Sequence, residues 1–305
     1  MTYKRFVRRI RQNRVVAAMA WPGATALHAT SSVMSKFTEK VRRNGGTVTY
    51  AGIALCFPPD VGIQFLSDIH WRGIDGYEPD VWRVLRELLP SSGSFIDVGA
   101  HIGFFSVLAH RMNPALSVFS FEPEPHALDE AKKFLAANGV SIQGLHQVAL
   151  SNKDGEATLF LPLDYPTMGS IEGPPPGLQS EEIRVSCQRL DTFLSHRPIS
   201  DPVTIKIDVE DHEFTVLEGA RETISRHRPV IVCELLPRPH NAETIRLLQE
   251  MEYAIFAISK NGCFRMGPDD FVQARVFREF VMIPAERIGP EQCFVPFERL
   301  GMFNA

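Results

Sequence analysis

The chain has 305 residues, 44% hydrophobic and 22% charged, enough for one large α/β domain with a real core and a smaller appendage. A formal net charge of -4 argues against a general nucleic-acid binder, so nucleic acid is not an expected partner. Five cysteines (Cys56, Cys187, Cys233, Cys263, Cys293) are odd in number and scattered, without C-x-x-C spacing, which excludes zinc-ribbon and dithiol motifs and points to a reducing, cytoplasmic setting.

The chain opens on a basic arm, with Lys4, Arg5, Arg8, Arg9, Arg11 and Arg14 ahead of a mildly apolar run at 15–21 broken by Pro22-Gly23. Such an arm is expected to make at most weak contact with acidic surfaces, and a targeting signal is the competing reading. No apolar run nears the roughly 20 residues that span a bilayer. Residues 47–66 alternate apolar and polar around Pro58-Pro59-Asp60 and predict a β-hairpin layer. Arm and hairpin form a first unit over 1–74, ahead of a main domain over 75–305. In that domain 77–89 reads as a helix, 94–98 as a strand and 104–111 as a helix. Strands follow at 117–121, 145–150, 203–209 and 229–235, with helices at 126–138, 213–226 and 242–251. Late strands are expected at 253–259 and 279–283. This alternation predicts a mostly parallel sheet with helices on both faces. Residues 157–163 and 182–187 read as two further strands, and the Pro- and Gly-rich stretch 164–180 between them as a lid loop.

The strongest local signal is FIDVGAHIG at 95–103, a strand running through Asp97 into a turn bracketed by Gly99 and Gly103. Glycine there lets backbone approach a ligand closely. A carboxylate just before the turn would repel phosphates and attract an amine or sulfonium. Glu122 ends the next strand, 19 residues after Gly103, the spacing at which a carboxylate accepts both hydroxyls of a ribose. In IKIDVE (205–210) strand alternation puts Lys206, Asp208 and Glu210 on one face, either toward a ligand crevice or as a salt bridge of Lys206 to an acid. Glu234 closes the neighbouring strand and should point into the same crevice.

DVGAHIG, FEPEPHAL, ALSNKDGEATLF from Ala149, IKIDVEDHEFTVLEGA from Ile205 and RPVIVCE from Arg228 together resemble the FkbM-type methyltransferases. The resemblance implies a Rossmann-like class I sheet of seven mostly parallel strands, the last antiparallel, with S-adenosylmethionine as cofactor. It also implies a hydroxyl acceptor on a sugar, a polyketide-like product or another small molecule or glycan. Carried over by position, Asp97, Gly99, Ala100, His101 and Gly103 belong at the methionine part of the cofactor, and Glu122 with Pro123 at its ribose. Gln147, in the turn at 146–149, belongs near the adenine, and Glu78 in the same pocket. Asp208 and Glu210 belong at the methyl-transfer end. Two positions depart from the family pattern: His101 stands where members usually have Asn, and Asp211 where a Gly usually follows the acid.

Methyl transfer to an aliphatic hydroxyl needs a base for its proton. His212 is the first candidate, with Asp208 and Glu234 as alternatives tuned upward by mutual repulsion. A divalent cation on Asp208, Glu210 and Glu234 could serve instead, but no metal is the expectation. Two rival readings stand: a cofactor-binding module weakened by Asp211, and a nicotinamide-dependent dehydrogenase, for which the turn lacks the first glycine pair.

Overall fold

The computed structural model describes residues 44–62, 69–70, 72–163, 169–174, 177–236, 241–267 and 277–304. The basic arm and the parts of the expected lid at 164–168 and 175–176 lie outside the described residues. In chain order the strands are β1 (Gly46–Tyr50), β2 (Ile53–Phe57), β3 (Ser94–Val98), β4 (Ser117–Phe121), β5 (Leu145–His146), β6 (Ala149–Leu150) and β7 (Gly155–Pro162). They continue as β8 (Ser180–Gln188), β9 (Val203–Ile207), β10 (Val230–Glu234), β11 (Tyr253–Ser259), β12 (Gly262–Arg265), β13 (Glu279–Pro284) and β14 (Phe294–Val295). The α-helices are α1 (Pro79–Leu88), α2 (Phe104–Met112), α3 (Pro125–Ala137), α4 (Leu190–Leu194), α5 (Glu213–Glu218), α6 (Arg221–His227) and α7 (Asn241–Glu250).

A mixed sheet of nine strands forms the centre, in the order β14-β12-β11-β13-β10-β9-β3-β4-β5. β5, β4, β3, β9 and β10 run parallel, and β13 lies antiparallel between β10 and β11. Those seven strands are the mostly parallel sheet with its last strand antiparallel that the family resemblance implied. The expected count of seven is nonetheless corrected to nine, because β12 and β14 extend the β11 edge. Gly262 makes that extension possible: at φ 132, any Cβ there would meet the Phe294 ring at 2.6 Å.

Every residue of β3 and β9 is buried, as expected of strands covered on both faces. β10 alternates between two cores: Val230 and Val232 join Trp82, Phe104 and Phe134, while Ile231 and Cys233 join Leu217, Ile224 and Leu248. α1 buries Val81, Trp82, Leu85 and Leu88 along one stripe, each worth about 1.5–3 kcal/mol when fully buried. α3 starts on Pro125 behind Glu124, whose carboxylate accepts the His126 and Ala127 N–H groups. The stretch 213–226 is two helices, α5 and α6, rather than one. The break falls at Gly219, where a Cβ would lie 1.9 Å from the Ser151 carbonyl oxygen, and α6 is capped by Asp191, which accepts Thr223 N–H at 2.8 Å.

Three further expectations change. The hairpin turn is Ala51-Gly52, both at positive φ, and not the Pro58-Pro59-Asp60 segment, which follows β2. Residues 145–150 split into β5, paired with β4, and β6, paired with β8 in a separate three-stranded sheet of order β6-β8-β7. The split occurs where Val148 N–H bonds back to the His146 carbonyl at 3.1 Å. The fourth strand ends at Ile207, two residues early, because the chain turns under the glycine loop described next. No described helix is long and apolar enough to cross a membrane.

Candidate active site

The carboxyl ends of β3, β4, β9 and β10 surround a cavity of about 400 Å³. Sheet topology requires this crevice: the chain departs to opposite sides after β3 and β9, so their exits diverge there. The turn after β3 is held by Gly99 and Ala100, whose N–H groups both bond to the Phe121 carbonyl at 3.0 Å. Gly99 has φ 77, and a Cβ on it would lie 1.9 Å from the Asp208 carbonyl oxygen, so only glycine fits between the two strand exits. Gly103, at φ 75, is the N-cap of α2; its missing side chain makes room for Leu135 at 2.4 Å.

Asp97 is 1% exposed. Its Oδ2 accepts a hydrogen bond from Ser106 Oγ at 2.6 Å, and Ser106 in turn touches Ser120 Oγ at 2.8 Å. Its Oδ1 has no hydrogen-bond partner among the described residues, although the side chain lines the cavity. Burial pushes its carboxyl above the usual range, with Lys206 opposing. Glu122 accepts His101 N–H at 2.8 Å on Oε2 and Glu124 N–H at 2.9 Å on Oε1. Burial nonetheless raises it to about 7.

The other end of the cavity is built on Lys206, buried, with Nζ 2.9 Å from Asp208, 3.7 Å from Glu78 and 5.0 Å from the Phe105 ring centroid. The salt-bridge alternative for Lys206 is therefore the arrangement found, and it faces the cavity. Burial alone would lower the Lys206 ammonium, but Asp208, Glu78 and Asp97 together hold it well above its ordinary value. Burial likewise opposes ionisation of Asp208, and Lys206 overcomes it and keeps that carboxyl low. Glu234 is raised to about 8 by burial and by Asp208, to which it hydrogen-bonds. Glu279 sits directly opposite Glu234 across β10 and β13 and is held well above the carboxylate range by burial and then by Glu78 and Glu234. Glu78 takes a left-handed conformation (φ 35, ψ 56) just before Pro79, a strained setting that aims its carboxyl at Lys206.

Of the expected cofactor residues, Glu78, Asp97, Gly99, Ala100 and His101 line the cavity, as do Glu122, Pro123, Asp208 and Glu210. Two do not. Gly103 packs against Leu135, and Gln147 is exposed while its neighbour Val148 faces the cavity. Glu210 lies in a turn and not on the β9 face: Glu210 and Asp211 have φ 49 and 77. His101 has φ 48, so both departures from the family pattern fall where Asn or Gly would be least strained. Of the base candidates, Asp208, Glu234 and His212 all line the cavity, but both ring nitrogens of His212 are engaged, Nδ1 with Glu172 at 2.5 Å and Nε2 with Ser151 Oγ at 3.2 Å. Among the described residues no group of three or more His, Cys, Asp or Glu side chains could hold a metal ion. The apolar wall from Leu159, Leu161 and Ile171 and the partner role of Glu172 were not visible in sequence, since they arise from the separate sheet folding over the crevice.

Sheet order and the glycine turn are those of a Rossmann-like methyltransferase fold. A family model described as the Methyltransferase FkbM domain matches residues 97–255, half of the chain, and the chain belongs to that family. It is 31% identical over 165 residues to the 31-O-demethyl-FK506 methyltransferase FkbM of Streptomyces tacrolimicus, covering 45% of this chain and 62% of that protein. It is 25% identical over 147 residues to the 2-O-methyltransferase NoeI of Sinorhizobium fredii, covering 44% of this chain and 59% of that protein. With the hexuronic acid methyltransferase AglP of Haloferax volcanii it shares 27% identity over 174 residues, covering 56% of this chain and 67% of that protein. The chain thus spans about three-fifths of the length of the first two relatives. A crystal structure of the methyltransferase FkbM from Methylobacillus flagellatus is 20% identical, covers 63% of this chain and 44% of that chain, and has a TM-score of 0.39.

Proposed function

We propose that this chain is an S-adenosylmethionine-dependent O-methyltransferase acting on a hydroxyl of a sugar, polyketide-like or other small-molecule or glycan acceptor. The observation that carries the reading is the pair of strand-end carboxylates. Asp97 lines the cavity with a buried Oδ1 that has no hydrogen-bond partner among the described residues, suited to an ammonium or sulfonium, and Glu122 stands one strand further, suited to a ribose diol. Gly99 leaves the backbone bare between them. The relatives' names, which include O-methylation and a hexuronic acid acceptor, support transfer to oxygen.

S-adenosylmethionine, when bound, supplies a methyl group activated for in-line displacement. The protein's part is to align the acceptor oxygen and to take its proton. Glu234 fits the proton-accepting role best, because its value of about 8 matches a base working near neutrality. Asp208, held ionised by Lys206, raises Glu234 and accepts its hydrogen bond once Glu234 has taken the proton. His212 is less suited, since neither ring nitrogen is left for the acceptor. Because Asp208 Oδ2 already holds Lys206 at 2.9 Å, the acids here support proton handling better than cation binding.

The test is incubation with S-adenosylmethionine carrying a labelled methyl group and a panel of glycosides, polyols and macrolides. Label in an alkali-stable ether on at least one acceptor is expected. Tight cofactor binding with no transfer to any hydroxyl would favour the weakened module over the enzyme.

A further inference from the structure

The cavity is roofed in part by residues 169–174, which contribute Gly169 and Ile171 to its wall. Gly169 packs so closely on β7 that a Cβ would stand 2.8 Å from Leu161. Backbone bonds tie the segment to β7, Phe160 N–H to the Ser170 carbonyl at 2.9 Å and Ser170 N–H to the Phe160 carbonyl at 3.1 Å. Two side chains of the segment then reach the turn that follows β9. Ser170 Oγ donates to the Glu210 carbonyl at 2.9 Å, and the Glu172 carboxylate accepts from His212 Nδ1 at 2.5 Å.

The receiving turn holds two successive non-glycine residues in the left-handed region, Glu210 and Asp211, a conformation that persists only when its surroundings over-determine it. His212 anchors it from below. The residue is 5% exposed, and both ring nitrogens are engaged, Nδ1 with Glu172 and Nε2 with the Ser151 hydroxyl at 3.2 Å. The Glu172 side chain is 51% exposed, so the outer link can break while the inner one stays.

We propose that Glu172 and Ser170 are positioning residues that latch segment 169–174 onto the 210–212 turn and hold the cofactor cavity shut, with His212 as the keeper of the latch. The proposal rests on the cofactor reading of the cavity. It assigns His212 a structural task and explains why both its nitrogens are spoken for.

The experiment uses the full chain as wild type, Glu172→Ala, Glu172→Gln and Ser170→Ala. Stopped-flow dissociation of S-adenosylhomocysteine is measured beside hydrogen exchange of amides 169–174 in ligand-free protein. Losing one charge-assisted hydrogen bond should speed dissociation about tenfold or more in Glu172→Ala and raise exchange at Ser170. Glu172→Gln, whose neutral amide oxygen still accepts from Nδ1–H, should fall between wild type and Glu172→Ala, as should Ser170→Ala. Unchanged exchange in Glu172→Ala means there is no latch. Raised exchange with unchanged dissociation means the latch does not retain cofactor. Either result overturns the proposal. A wild-type protein that binds no cofactor would sink the cofactor reading instead, leaving the latch to be judged on exchange.

Discussion

Replacing Lys206 by Met tests the electrostatic account of the cavity most severely, because Met keeps most of the unbranched apolar stem and removes the ammonium with its charge and hydrogen bond. The ammonium is 4% exposed and neutralises Asp208 at 2.9 Å and Glu78 at 3.7 Å. Without it these carboxylates share a buried space with Asp97, Glu234 and Glu279, and ionising any of them becomes harder. Removing one partner from a buried pair costs about 3–5 kcal/mol, which for a domain of this size is roughly 6–20 °C in Tm. The sign with pH follows from Asp208. Its carboxyl is held low in the folded protein, so its contribution is present above the ordinary carboxylate range and is lost as pH falls through its depressed value. The gap between wild type and Lys206→Met should therefore be large near neutrality and close below about pH 4. Thermal melts followed by circular dichroism across that range provide the assay. A loss smaller than about 2 °C near neutrality, or one that does not shrink in acid, would refute the claim that Lys206 holds Asp208 ionised.

Gly99→Ala should cost roughly 2–5 kcal/mol from overpacking and left-handed strain combined, and should weaken cofactor binding at least tenfold. Gly139→Ala, at φ 71 but with nothing within 4 Å, should cost only the strain, about 1–2 kcal/mol by chemical denaturation, and leave binding unchanged. Cofactor binding should release protons near neutrality, because Glu122 sits at about 7 in the free protein and ribose hydroxyls favour its ionised form. Calorimetry in buffers of different ionisation enthalpy reads that release, and a buffer-independent heat would count against the ribose role. Glu234→Gln should lower methyl transfer by about 100-fold or more while keeping cofactor affinity. The wild-type rate should rise with pH to a plateau above about 8, where Glu234 is ionised, and a rate falling over that range would exclude it as the base.

The parts of the site legible in sequence were those fixed by local geometry. A glycine that must meet a neighbouring strand exit, an acid just before it and an acid 19 residues on are set by one β-α-β unit, so Asp97, Gly99 and Glu122 could be named from spacing. Resemblance also marked His101 and Asp211, and the backbone angles give the physical reason: both occupy left-handed positions. What spacing could not show depends on pairing between distant segments. Residues 145–150 read as one apolar strand, yet half joins β4 and half joins β8, so Gln147 was placed at the cavity in the stead of Val148. Glu279 faces Glu234 only because β13 inserts antiparallel beside β10, a register no local pattern encodes. Glu172 is one acid in a Pro- and Gly-rich loop, and its meeting with His212 40 residues away leaves no periodic trace.

The central claim is that the crevice between β3 and β4 binds S-adenosylmethionine through Asp97 and Glu122. Calorimetric titration of the cofactor into wild type, Asp97→Ala and Glu122→Ala, each confirmed folded by circular dichroism, tests it most directly. The account predicts saturable binding to wild type and a loss of at least about tenfold in each variant. Folded wild-type protein that does not bind, or variants that bind as tightly as wild type, would contradict it.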